Sequence, residues 1–342
     1  MPGPSGKVAR AGLGAIVVAL VALVALGAVA GAKKKGKKLP RGPYPSLGAC
    51  AVFPKPNLPA NAASAADLSA WNQDISAAPV DPNSGSYISY INANGGDFLH
   101  PDFGTPREYG FPYAVTGRKQ KRTKVRFTAY GEESTHGRYR IPLKALVEGG
   151  RSSDGDRHVL SIDRKRCKLQ ELYRAFARKT PKPHWDADAG VIWDLRSAAL
   201  RPEGWTSADA AGMPIFPGLV RYDEVRAGAI SHAIRVTVNS TRDAWVHPAT
   251  HCAGDSSSAN APPMGLRMRL NGGYDIANLT GAARVIAVAL KRYGFFVTDN
   301  GSNWFFSGTS DRRWDDENLD QLKSIPGAAF EVVRSAAPIH AC

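Results

Sequence analysis

The sequence predicts a β-dominated α+β fold: an antiparallel β-sandwich, jelly-roll-like, with two or three short appended helices. Three observations predict it. Short segments alternate apolar and polar residues with period two, the mark of strands with one buried face. Turns rich in Gly, Pro and Asn separate them. Two segments near the C-terminus switch to a helical period.

Residues 1–32 read as a signal peptide. Lys7 and Arg10 form a basic start, Leu13 to Ala30 is apolar, and Ala28-Val29-Ala30 and Ala30-Gly31-Ala32 fit an A-x-A cleavage rule. The alternative is an uncleaved membrane anchor, because the apolar run approaches a bilayer's thickness and five lysines follow it between 33 and 38. Residues 33–65 are rich in Lys, Pro, Gly and Ala and read as a linker. Residues 66–342 are expected to form one globular β-rich domain.

The expected strands follow in order. Val125 to Tyr130 alternates, as do His158 to Ile162 and Ile230 to Val238. In Gly265 to Leu270, Leu266, Met268 and Leu270 share one parity and Arg267 and Arg269 the other. A helix is predicted over 281–293, with Ile286, Ala289, Leu290 and Tyr293 on one face, Thr280 as its cap and Gly294 as its end. A second is predicted over 315–324, with Asp315, Asp316 and Glu317 in the positive first turn and Pro326 as the stop.

Four cysteines, Cys50, Cys167, Cys252 and Cys342, suit two disulfides in an exported chain. Three pairings are possible; Cys50–Cys167 with Cys252–Cys342 would pin both ends of the folded region. The net charge of +14 overstates the basicity of the domain. Residues 1–38 hold seven Lys or Arg and no acids, so the remainder carries 14 − 7 = +7. Without a nucleic-acid motif, that charge fits an acidic polysaccharide or anionic cell surface, or serves solubility alone.

Residues 193–225 form a long segment with few regular stretches, dense in Gly, Pro, Trp, Arg and carboxylates. Such segments in compact domains are functional or disordered, and Trp193, Trp205, Ile215 and Phe216 argue for an ordered loop that builds a site. Together with 154–176 and 289–308, this loop resembles a family of secreted bacterial, often actinobacterial, proteins labelled hypothetical. The resemblance covers most of residues 70–333. It implies a carbohydrate-active-like β-sandwich by analogy of appearance and carries over no activity.

The candidate chemistry is carboxylate chemistry first. Glycoside hydrolysis needs two carboxyl groups, about 5 Å apart for retention or roughly 6.5–9.5 Å for inversion. Asp194, Asp209, Asp223 and Glu224 are the candidates for acid and base. Asp223 and Glu224, read as neighbours on a strand, point apart, so the pair joins one of them to Asp194 or Asp209. The competing reading is that these acids cap turns or pair with arginines.

Substrate contacts are expected from Arg157, His158, Arg221, Tyr222 and His232, and from aromatic platforms at Trp193, Trp205 and Trp304. An Arg beside His or Tyr would equally serve a lyase acting on uronic-acid polymers. His232 shares parity with Ile230 and Ile234, where a hydrogen-bonded core histidine is the commoner meaning.

No metal or cofactor is expected: H-E-x-x-H is absent, and Pro248 lies between His247 and His251. No nucleophile elbow or phosphate loop appears. The sequence therefore predicts a secreted glycan-directed protein, a glycoside hydrolase first, a non-catalytic polysaccharide- or cell-wall-binding protein second. Its partner would be a glycan rather than nucleic acid, with no stable membrane span after signal cleavage. Oligomeric state is left open.

Overall fold

The computed structural model describes residues 42–48, 50, 52, 69–104 and 109–340. The expected signal peptide, most of the expected linker and Cys342 lie outside them. All described residues belong to the unit Leu39–Cys342.

The chain runs α1 (Ser84–Ala93), β1 (His100–Asp102), β2 (Tyr113–Thr116), β3 (Thr123–Phe127), β4 (Arg138–Tyr139), β5 (Val159–Asp163), β6 (Lys168–Tyr173), β7 (Phe176–Arg178), β8 (His184–Ala187), β9 (Ala189–Asp194), α2 (Tyr222–Arg226), β10 (Ile234–Val238), β11 (Arg267–Leu270), α3 (Gly281–Arg292), β12 (Phe295–Asn300), β13 (Phe305–Ser307), α4 (Asp316–Asp320) and β14 (Phe330–Val332). Three sheets result: a six-stranded one ordered β1-β13-β10-β12-β11-β14, and two four-stranded ones ordered β2-β5-β6-β9 and β4-β3-β8-β7.

Each sheet is mixed, which corrects the antiparallel expectation. β10 pairs with β12 in parallel, β2 with β5 and β3 with β8, while the remaining pairs within the two small sheets are antiparallel. Alternation reports which face of a strand is buried. It carries no information on the direction of the neighbour, which long crossovers decide.

Each of the four expected segments holds a strand, though Ile230 to Ala233 and Thr128 to Tyr130 fall outside β10 and β3, and β5 and β11 are buried on both faces. In β11 the arginine face is covered by the chain around residues 70–75. Arg267 donates to the carbonyls of Tyr293, Ala70 and Gln73, and Arg269 to that of Ile75 and to Glu331. A buried guanidinium is tolerated when its donors all find acceptors.

Helix α3 matches its sequence pattern. Ile286, Ala289, Leu290 and Tyr293 are buried against the six-stranded sheet, and Gly294 ends the helix with φ +66°. Thr280 sits at the N-cap position, but its hydroxyl makes no capping bond. Asn318 Oδ1 accepts from Ala283 N at 3.1 Å instead. Helix α4 has the expected acidic start, with Asp315 accepting from Asn318 N, and a 3₁₀ turn extends it to Ser324. Helix α2 replaces the strand expected around Asp223 and Glu224.

Among the described residues, one apolar cluster packs on the six-stranded sheet, a second on β2, β5 and β6, and a third joins Val159 and Leu172 of that sheet to the β4-β3-β8-β7 sheet. Cys50 and Cys167 are joined, as expected. Cys252 is not a free thiol, and its expected partner Cys342 lies outside the described residues. Part of the segment read as linker packs on the domain: the Tyr44 ring stacks on Tyr113 at 3.8 Å. Among the described residues no helix is long and apolar enough to cross a membrane.

Candidate functional site

Loop 193–225 is ordered by being tied to two sheets. Glu171 of β6, fully buried, takes the backbone N–H of Ile215 at 3.1 Å, that of Phe216 at 2.9 Å and the indole N–H of Trp193 at 2.9 Å. Burial pushes its carboxyl up to about 7 despite these donors. On the other side, Ala211 donates to the Thr298 carbonyl and Val220 bridges to Gly308.

The loop delivers Asp209 to a buried charge network on β10. Arg235, 3 % exposed, binds Asp209 through Nε at 3.1 Å and Nη2 at 2.6 Å. It also donates to Ser307 Oγ on β13 at 2.7 Å and to Asp299 Oδ2 on β12 at 3.3 Å. β10 lies between β12 and β13, so a side chain at its centre reaches both neighbours. Asp209 is wholly buried, whereas the Asp299 side chain keeps 25 % of its surface.

Phe111 separates this cluster from a second. Its ring lies 5.3 Å from the Arg235 guanidinium and 5.3 Å from the His158 ring. His158 is buried, with Nδ1 2.5 Å from Glu148 Oε2 and Nε2 2.9 Å from the Ala208 carbonyl. Two acceptors on two ring nitrogens require both to carry protons.

The protonation states divide sharply. Burial opposes charge on His158, but the Glu148 carboxylate outweighs it and lifts the imidazolium to about 9. Burial alone would raise Glu148; the charge and hydrogen bond of His158 reverse this and hold it below the usual carboxylate range. Asp299 goes the other way. Burial first, then the negative charge of Asp209, pushes it up to about 7 against the pull of Arg235. Asp102 is also raised, by burial and by Glu148. Two neighbouring clusters thus hold an ionised and a proton-bearing carboxyl, both partly open to solvent.

The other sequence candidates sit elsewhere. Asp194 ends β9 at the surface, bound to Arg196 and Lys168 at 3.0 Å each; the Arg196 hydrogen bond, with Lys168, keeps it far below the usual carboxylate range. Asp223 and Glu224 lie on α2 and share a hollow of about 660 Å³ with Tyr44, Tyr113, Arg221 and His232. Neither Asp194 nor Asp209 lines it, so the expected pairing across the two groups is not assembled there. Glu224 is held by Arg221 and by His232 Nε2 at 3.2 Å, Asp223 by Arg313 at 3.1 Å. Tyr222 lies under Arg313, whose guanidinium is 4.1 Å from the ring centre.

Arg157 is buried and spends its donors on the carbonyls of Ala175, Arg151 and Ser153, with its guanidinium 4.2 Å over Phe176. Trp304 is fully buried and its indole N–H bonds Asn92, so it presents no face to a ligand. Trp193 and Trp205 remain accessible, Trp205 at 37 %. Trp193 lines a hollow of about 420 Å³ with Trp71, Leu200, Arg201, Met213 and His247. Among the described residues no Asp or Glu lines this hollow.

Glu148 and Glu171 were not among the residues that the sequence pointed to. One signal existed for Glu171: it shares strand parity with Leu169 and Tyr173, a face whose burial leaves it no water. Comparison with protein-family models, curated proteins and solved structures gave no match.

Proposed function

We propose that the chain is an exported, glycan-directed enzyme that cleaves glycosidic bonds by acid–base catalysis. Asp299 carries the proton to the leaving oxygen, and ionised Glu148 is its basic counterpart. The observation that carries this reading is the opposite protonation of these two carboxyls around Arg235 and His158. Glycoside hydrolysis asks for that pair of states, and this reading further requires that Glu148 and Asp299 stand at one of the two carboxyl separations given above. Asp209 keeps Asp299 protonated by its charge and keeps Arg235 in place.

This assignment moves the acid and base away from Asp194, Asp223 and Glu224, each compensated by cations. It also disfavours a lyase at His158: an imidazolium lifted to about 9 is a poor proton acceptor at neutral pH. Export rests on the N-terminal pattern and the Cys50–Cys167 bridge, and the jelly-roll-like sandwich is our proposal for how the mixed sheets stack. A non-catalytic polysaccharide-binding role is the second reading, favoured by the carboxylate-free hollow at Trp193.

The test is release of reducing ends from a panel of polysaccharides. Asp299→Asn keeps one of the two acceptors that Asp299 offers to Arg235 and Asn300 and removes the transferable proton, so turnover should fall by about 10²–10⁴-fold, with circular dichroism confirming the fold. Wild-type activity should decline on the alkaline side as Asp299 ionises near pH 7. An Asn variant with full turnover, or a wild-type protein inert on every glycan, refutes the enzymatic reading.

A further inference from the structure

The hollow at Trp193 contains a cation that no ion pair among the described residues holds. Arg201 lines it, with its guanidinium 5.7 Å from the Trp193 ring centre and 5.4 Å from that of Trp205. Its one hydrogen bond among the described residues goes to the backbone carbonyl of Glu133. Its Nε is buried without a partner. The Glu133 carboxylate accepts from the backbone N–H of Thr206 at 2.6 Å; its charge favours the Arg201 cation, but no ion pair joins the two among the described residues.

Other enclosed arginines differ. Arg235, Arg221 and Arg269 each hold a carboxylate. Arg157 and Arg267 lack one, but each donates to three backbone carbonyls. A partly buried guanidinium with one acceptor is costly unless an anion completes it. The remaining walls are apolar or aromatic, from Trp71, Trp193, Leu200 and Met213, with Gln73 and His247 as polar edges. His247 is held in place by Glu203 at 2.6 Å. The volume falls in the range of small-ligand pockets, roughly 300–1,000 Å³.

We infer that this hollow binds a hexuronate residue of an acidic polysaccharide, its carboxylate on Arg201 and one ring face on Trp193. The ligand class follows from the walls: an anion for the cation, and a ring with an apolar C–H face for the indole. The inference rests on the carbohydrate reading above, but not on catalysis.

The test is calorimetric titration of the full protein with tetragalacturonate, with maltotetraose as neutral control and benzoate as a non-sugar carboxylate. Tetragalacturonate should bind at least about tenfold tighter than maltotetraose and quench tryptophan fluorescence, and its affinity should fall with added salt. Arg201→Gln should abolish the preference for the acidic sugar. Ala199→Trp, at the exposed rim, should block binding with an unchanged fold, which keeps the test valid if Arg201→Gln does not fold.

Equal binding of the neutral and acidic tetramers overturns the inference. So does a preference that survives Arg201→Gln or binding that survives Ala199→Trp. Benzoate competing as strongly as the tetramer replaces the sugar with an aromatic acid. Uronate binding without release of reducing ends removes the catalytic proposal and leaves this one standing. Hydrolysis of neutral glycans without uronate preference does the reverse.

Discussion

Replacing Glu171 by alanine should unfasten loop 193–225 from its sheet. The carboxylate accepts two backbone N–H groups and one indole N–H, all in a fully buried position. Each donor left without an acceptor costs about 1–3 kcal/mol. Removing the carboxyl also ends the cost of burying it, and water will enter part of the space, so the net loss expected is about 3–5 kcal/mol. That is a large share of a stability of roughly 5–15 kcal/mol. Urea unfolding followed by circular dichroism measures it, and tryptophan fluorescence should change with the freed Trp193 indole.

Glu171→Gln separates the acceptor from the charge. Glu171 is raised from its ordinary 4.5 to about 7, so between those values the native state binds the extra proton. Its contribution to stability therefore falls as pH rises from about 4.5 to 7. Gln cannot titrate, so wild type minus Gln stability should shrink over that window. An alanine variant within about 1 kcal/mol of wild type would refute the anchoring role, and a pH-independent difference between wild type and Gln would refute the elevated pKa.

Arg235→Met should cost about 3–5 kcal/mol in denaturant unfolding, because Asp209 is then a wholly buried charge with no cation; adding Asp209→Leu should recover part of the loss. A double variant less stable than the single one would contradict this. Gly294→Ala should cost about 2–3 kcal/mol by thermal melting, since φ is +66° and a Cβ would collide with the Met268 carbonyl oxygen. A loss below about 0.5 kcal/mol would mean the end of α3 relaxes freely.

Local chemistry made some of this legible. The face of α3, its terminus at Gly294 and the acid-rich start of α4 follow from periodicity and from the φ or charge each position needs. So did the four strands β3, β5, β10 and β11, because alternation is imposed by the pleat. The candidate site was less legible. His158 was singled out, but as a substrate contact; its partner Glu148 lies ten residues away and meets it only through the fold. Trp304 looked like an exposed platform, yet it is buried under residues far earlier in the chain, as its bond to Asn92 shows. Asp223 and Glu224 looked like strand because a five-residue helix has too few turns to display a period.

The sequence alone determined the strand-rich class, the two C-terminal helices and the presence of an ordered Trp-bearing loop, since these depend on residues within a turn or two of one another. Tertiary structure alone decided the parallel pairings, the burial of Arg267 and Arg269 and the identity of the proton-bearing carboxyl. Asp299 is raised by burial and by a charge ninety residues upstream at Asp209. Desolvation and Coulomb energy depend on distance in space, and chain order does not encode that distance.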